Sequence, residues 1–200
     1  RSSDLLGMLQ PLSLDPYMPN IANIARDLNV DAALIGQNLT FLTLGVSVGL
    51  VIAGPMSDAI GRRRPVLFAL AGYVIASIGT AFVNNVEVFF TLRALQGFFA
   101  ACAAVVANTM LRDLYHGLQL IKALARSMLL MGTTWFLGPI FGSVLQSFTD
   151  WRGLGLILAG ATAFLVLIIF WKLPDTMTKE DRTKTTAKEV VSGFGRLLKD

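Results

Sequence analysis

Hydrophobic positions along this chain come in long blocks rather than in alternation, and the spacing between charged residues measures them. Five runs carry no Asp, Glu, Lys or Arg: residues 32–57 (26), 65–86 (22), 94–111 (18), 127–149 (23) and 153–171 (19). The third lengthens backwards through Arg93 to Val88. A bilayer core about 30 Å thick is crossed by about 20 helical residues, so each run can span one. The helices of a soluble bundle keep a polar face at 3.6-residue spacing, whereas these runs are apolar all round. A sixth segment, residues 5–25, is interrupted by Asp15 and by Pro11, Pro16 and Pro19 and reads as a broken span. The pattern predicts an all-α membrane protein, with a six-helix transmembrane bundle over residues 1–174.

Composition agrees. The 200 residues are 54% hydrophobic and 15% charged, against about 25% charged in soluble domains, which excludes disorder and disfavours an ordinary soluble fold. The net charge of +4, from 17 basic and 13 acidic residues, raises nucleic acid as a partner until the basic residues are located. Arg1, then Arg62, Arg63 and Arg64, then Arg112, Lys122 and Arg126, then the seven after the sixth span make 14; Arg26 and Arg152 lie in the opposite loops. By the positive-inside rule both termini are cytoplasmic, and the loops at 26–31, 84–87 and 150–152 face outward. The basic residues are therefore topological, and no nucleic acid is expected. No cleavable signal peptide is read at residues 1–4. Cys102, the single cysteine, lies in a run of alanines and reads as a small hydrophobe.

Gly54-Pro55 and Gly138-Pro139 stand 84 residues apart, the spacing expected of two inverted three-helix repeats. Beyond Leu173-Pro174 the chain turns polar. Residues 175–200 are expected to be a cytoplasmic linker with a short amphipathic helix on the membrane surface, or a tether to a second half.

Four strings carry chemistry. In the first, Gly54 to Pro65, Gly54-Pro55 is expected to stop one helix, Gly61 to allow a tight reversal, and Pro65 to suit the next helix's first turn. Asp58 lies at that boundary, placed to accept from helix amides or to pair with a basic neighbour. The second is Arg93-Ala94-Leu95-Gln96-Gly97. An arginine at the centre of a membrane costs about 2.5–3.5 kcal/mol on insertion scales and marks function, unless it snorkels to the interface. Arg93, Gly97, Ala100, Ala104 and Asn108 are expected on one stripe, as a cavity wall or a close helix contact. The third, Gly132 followed by Gly138-Pro139-Ile140-Phe141-Gly142-Ser143, reads as a kinked, closely packed hinge.

The fourth is Asp15-Pro16-Tyr17-Met18-Pro19. Asp15 lies ten residues beyond Leu5, about 15 Å or halfway through the core if a helix begins there, and with Arg93 it is the expected proton-coupling pair. The alternative is that Asp15 caps a half-helix begun by Pro16. Phe41, Met131, Trp135 and Phe136 suit an adaptable apolar cavity, with lipid or helix contact the alternative for each. Gln37 and Asn38 are further cavity candidates, and His116 reads as a solvated loop residue. The sequence has no nucleotide loop, metal-ligand spacing or nucleophile–base arrangement, so neither an enzyme nor a cofactor or metal is expected.

These strings resemble the major facilitator superfamily. Gly54, Asp58, Gly61, Arg62 and Arg63 match its loop between the second and third helices, with Ala59 standing where an arginine is usual. Arg93, Gln96 and Gly97 match its fourth-helix motif. Gly138, Pro139 and Gly142 are similar to the fifth-helix motif of its antiporters, with Ser143 replacing a final glycine. Asp15-Pro16-Tyr17-Met18-Pro19, with the strings at Arg112, Asp150 and Leu173, resembles the bicyclomycin-resistance (Bcr/CflA) group of drug:proton antiporters. The resemblance implies the N-terminal six-helix half of a transporter. It would export small apolar or drug-like compounds against protons by alternating access, from a bacterial inner membrane. Tyr17, Asn38, Phe41, Gln96, Asn108 and Trp135 would line the substrate cavity. The implied partners are the lipid bilayer, the substrate, protons, and a second six-helix half on the same polypeptide or in a homodimer. The rival readings are a proton-coupled uptake symporter for a metabolite and a membrane binding module without turnover.

Overall fold

The structure, a computed structural model, describes Tyr17 and residues 20–172, apart from the side chains of 134–136, 139, 146, 169 and 172. Asp15, most of the broken first span and the expected linker at 175–200 lie outside the described residues. Among the described residues all regular structure is helical. A turn in which Asn20 N donates to Tyr17 O (3.0 Å) leads into α1, Ile21–Asp27. Asn29 then takes φ +54°, a left-handed conformation that asparagine tolerates. Asp31 caps α2, Ala32–Gly36, by accepting from Ala33 N at 3.0 Å. Only Gln37, itself in a helical conformation, separates α2 from α3, Asn38–Ile60.

The expected stop at Gly54-Pro55 is not where α3 ends, because Pro55 lies inside the helix, which runs on to Ile60. Proline removes one backbone donor but has a helical φ, so a single missing bond does not end the helix. The reversal comes at Gly61, whose φ of +98° disfavours any side chain. Next come α4, Arg63–Ala81, with Pro65 in its first turn as expected, and α5, Val86–Leu114, capped by Asn85 accepting from Glu87 N at 2.7 Å. Tyr115 and His116 alone separate α5 from α6, Gly117–Gln146. The expected basic loop is thus two residues long. Arg112 belongs to α5, and Lys122 and Arg126 to α6. The last element, α7, is Trp151–Lys172.

Four described segments are long and apolar enough to cross a membrane: Ala32–Ile60, Arg63–Ala81, Val86–Leu114 and Trp151–Ile168. Large apolar side chains point outward along them, Ile75 at 70% and Phe68 at 61% exposed, which an aqueous surface would not tolerate on this scale. The run 127–149 falls in α6, which touches α5 and α7 only lightly.

At the centre stands α5, packed on α3 and α4, with α7 on the far side of α4. Between apolar helices in lipid there is no hydrophobic drive to associate, so shape decides. The buried residues of α3 are Asn38, Leu42, Gly45, Gly49, Ala53 and Ser57, a stripe of small groups with a polar residue at each end. A Cβ on Gly45 would fall on the Ala94 carbonyl, one on Gly97 would fall on the Leu42 carbonyl, and one on Gly49 would lie 2.6 Å from Phe98 O. The α3–α5 crossing is therefore backbone against backbone. Of the expected stripe on α5, Gly97, Ala100 and Ala104 are buried in close packing, while Asn108 is exposed.

The two ends of the bundle are fastened by different side chains. At one, Asp27 Oδ2 accepts from Trp151 Nε1 (2.8 Å) and pairs with Arg152 Nε (3.7 Å). Arg152 also donates to Ala81 O (3.1 Å) and Asn84 Oδ1 (3.3 Å). The three loops expected to face outward thus meet at one end. Arg63, at the other end of α4, donates to Phe170 O at 2.8 Å. The 19 residues of α4 separate the two ends by about 28 Å.

Candidate functional site

Two buried arginines organise the polar chemistry of the bundle. The first, Arg62, follows the left-handed Gly61, and the turn sends its side chain back between α3 and α5. Nη1 donates to Ser57 Oγ (2.7 Å) and Asp58 Oδ1 (2.6 Å), and Nε to Asp113 Oδ2 (2.9 Å). Burial opposes the Arg62 charge. Hydrogen bonds to Asp58 and Asp113, reinforced by the charge of both carboxylates, outweigh it and hold the guanidinium pKa above its ordinary value. The cluster joins the end of α3, the start of α4 and the end of α5 through one cation. Ala59 brings no charge to this turn, and Arg62 is the residue that engages the neighbouring carboxylates.

The second, Arg93, is 0% exposed in the middle of the helical packing, which excludes snorkelling. Its Nε donates to Asn38 Oδ1, where the α3 stripe begins, and its Nη1 donates to Gln96 Oε1 at 2.9 Å. Gln96 Nε2 in turn donates to Ser77 Oγ on α4 at 2.8 Å. The Tyr17 ring lies 4.4 Å from Arg93 Cζ, in cation–π geometry. Tyr17, Asn38, Ser77 and Gln96 are all buried. Among the described residues the Arg93 guanidinium is thus met by groups from α3, α4, α5 and the Tyr17 turn, two residues along the chain from Asp15.

A family model described as Major Facilitator Superfamily matches residues 5–200. The chain belongs to the Major Facilitator Superfamily. Among its relatives is a Bacillus subtilis (strain 168) protein named as an uncharacterized MFS-type transporter, YdgK. The two are 32% identical over 198 residues, covering 98% of this chain and 49% of the relative. A Haemophilus influenzae protein named bicyclomycin resistance protein homolog is 28% identical over 195 residues, again covering 98% of this chain and 49% of the relative. The chain therefore spans about half the length of the curated relatives it matches. Among solved structures, the human organic anion transporter MFSD10 (TETRAN) superposes with a TM-score of 0.69 over 96% of this chain and 50% of that one. At 19% identity, this shows the shared fold.

Within the superfamily fold, the loop-motif residues separate by role. Gly61, Arg62 and Asp58 form the first arginine cluster, Arg63 reaches α7, and Gly54 has nothing within 4 Å of where a Cβ would stand. Four of the other expected site residues come together: Tyr17, Asn38, Arg93 and Gln96. Two do not join them. Phe41 is stacked on Phe90, ring centroids 4.5 Å apart. Asn108 is exposed on α5, 15 residues and about 22 Å along the helix from Arg93. Gly138 and Gly142 are buried on α6, and Pro139 lies within that helix. His116 is an exposed loop residue, as expected. Asp15 and the Trp135 side chain lie outside the described residues.

Sequence reasoning missed Ser77 and Thr80 on α4 and the role of Asp113. A hydroxyl in an apolar run carries no sign of which neighbour it serves. The available signal for Asp113 was that Arg62, at a helix end, needs acceptors beyond Asp58.

Proposed function

We propose that these residues are the N-terminal six-helix half, two inverted three-helix repeats, of a transporter that exports small apolar or drug-like compounds in exchange for protons. Both termini of the segment are cytoplasmic, the membrane is a bacterial inner membrane, and residues 175–200 link to a second half on the same polypeptide, with a homodimer as the other arrangement. The observation that carries this reading is the Arg93 guanidinium, fully buried inside membrane-crossing helices and close in sequence to Asp15. A charge buried inside membrane-crossing helices is costly and marks a functional site. Drug and proton compete at the Asp15–Arg93 site, so that loading one releases the other. Tyr17, Asn38 and Gln96 hold the arginine. The Arg62 cluster stabilises one access state, and Gly138, Pro139 and Gly142 form the hinge. The naming of a relative for bicyclomycin resistance supports the substrate class.

The test uses the full-length chain in proteoliposomes with a pH-sensitive dye inside. Addition of bicyclomycin should move protons in the wild type and not in Asp15→Asn, since an amide caps a helix but carries no proton. Wild-type proton movement persisting in the Asn variant would place the coupling carboxylate elsewhere.

A further inference from the structure

Around Arg93 the contacts close on themselves. Arg93 Nη1 donates to Gln96 Oε1, and Gln96 Nε2 donates to Ser77 Oγ. Thr80 Oγ1 donates to Ser77 O at 2.7 Å and lies 3.5 Å from Tyr17 Oη, while the Tyr17 ring lies against the Arg93 guanidinium. All five residues are 0% exposed. Their donor directions are fixed by elimination. A guanidinium only donates, so the Gln96 carbonyl must face it and the amide nitrogen must face Ser77. The Thr80 proton is committed to the Ser77 carbonyl, so at the long Tyr17–Thr80 contact the phenol donates. Reversing the Gln96 amide would set NH₂ against the cation.

A separate observation comes from α7. A Cβ on Gly155 would lie 3.0 Å from Tyr17 Oη, 3.2 Å from Ser77 O and 3.2 Å from Thr80 Oγ1, so the α7 backbone rests on the atoms that close the ring.

We infer that Ser77 and Thr80, covered by Gly155, are positioning residues that set where the Arg93 guanidinium sits during exchange. They act through Gln96 on one side and Tyr17 on the other, and neither meets substrate or proton. The inference rests on the reading of Arg93 as the coupling arginine, and adds that α4 and α7 decide its place. A shift of α7 against α4 is then transmitted to Arg93 without any charge moving.

The experiment compares Thr80→Val, which keeps the shape and removes both hydrogen bonds, with Thr80→Ser, which keeps the hydroxyl. Ser77→Ala and Gly155→Ala serve as second sites, all in the full-length chain in lipid nanodiscs. Access to Arg93 is read as the phenylglyoxal modification rate of its peptide by mass spectrometry, a measurement that needs no transport. Thr80→Val should raise that rate by about tenfold through local opening, with Thr80→Ser close to wild type. In proteoliposomes the bicyclomycin-driven proton flux of Thr80→Val should fall about tenfold in kcat with KM changed less than about twofold. Wild-type Arg93 protection in both Thr80→Val and Ser77→Ala would overturn the inference. Lost protection in a chain whose wild type moves no protons would leave the positioning intact and sink the transport reading instead.

Discussion

A guanidinium withdrawn from water needs acceptors in the directions its fork dictates. Arg62 finds two carboxylates and a serine, and among the described residues Arg93 donates to Asn38 and Gln96 and lies against the Tyr17 face. Asp113→Ala, which removes the less exposed carboxylate, should cost about 1–3 kcal/mol as a buried donor loses its partner, and Asp58→Asn less, because Asp58 is half exposed. Thermal unfolding of the purified protein checks the order, and equal losses would place the two carboxylates on a par. The Arg62 pKa is raised, so its contribution to stability is present below the ordinary guanidinium value and lost only as pH rises past the folded one. The stability difference between wild type and Arg62→Gln should therefore be the same at about pH 7 and about pH 10, apart from other titrating groups. Arg93→Lys keeps the charge but replaces the planar fork by a point cation. On the proposed function, proton-coupled efflux should be lost while the protein still inserts, and retained efflux would show that charge alone suffices. Arg93, Gln96 and Gly97 were legible from sequence because a charge in an apolar run is conspicuous. Ser77 and Thr80 were not, since a hydroxyl in a membrane helix ordinarily bonds its own backbone.

At the scale of elements, glycines on α3 differ sharply in what surrounds them. At Gly45 an added methyl meets the Ala94 carbonyl, and at Gly97 on α5 it meets that of Leu42, whereas at Gly54 it meets nothing within 4 Å. Gly45→Ala and Gly97→Ala should lower the yield of folded, monodisperse protein, since backbone cannot give way as a flexible side chain does. Gly54→Ala should be neutral, or stabilise by up to about 1 kcal/mol, since the added methyl meets nothing and the helix gains from losing a glycine. Fluorescence-detected size-exclusion profiles separate these outcomes; damage at Gly54 equal to that at Gly45 would mean that another surface covers it. The four described spans were readable because the spacing of charges marks them, and Gly61 because no other residue suits its turn. The continuation of α3 through Pro55 was hidden, because one missing donor does not fix whether a helix stops. The stripe on α5 held only over short range. At 100° per residue Ala104 is 20° from the Arg93 direction and buried, whereas Asn108, 60° from it, is exposed.

For the whole molecule, the fastening of the loops into two groups about 28 Å apart carries the topology prediction. A cysteine placed at Glu87 should react with an impermeant maleimide from outside intact cells, and one at Arg64 only after the membrane is opened; the reverse pattern would invert the assignment. Because the chain spans about half the length of its relatives, the proposed function predicts that residues 1–200 alone insert into membranes but do not move drug. Efflux by the monomeric fragment would contradict that. Which loops share an end was legible from the count of basic residues, while the side chains that tie them, Asp27, Trp151, Arg152 and Asn84, were not, since their partners are remote in sequence. One further consequence lies in Cys102. It is buried among the alanines of α5, its sulfur 3.8 Å from Gly49 O in the α3–α5 crossing. The native thiol is therefore sealed from aqueous reagents by two backbones. Within these 200 residues, single-cysteine probes for labelling, cross-linking or spin-label distances can be placed directly on the natural sequence, with the original thiol left as a silent internal control that becomes reactive only when the crossing opens.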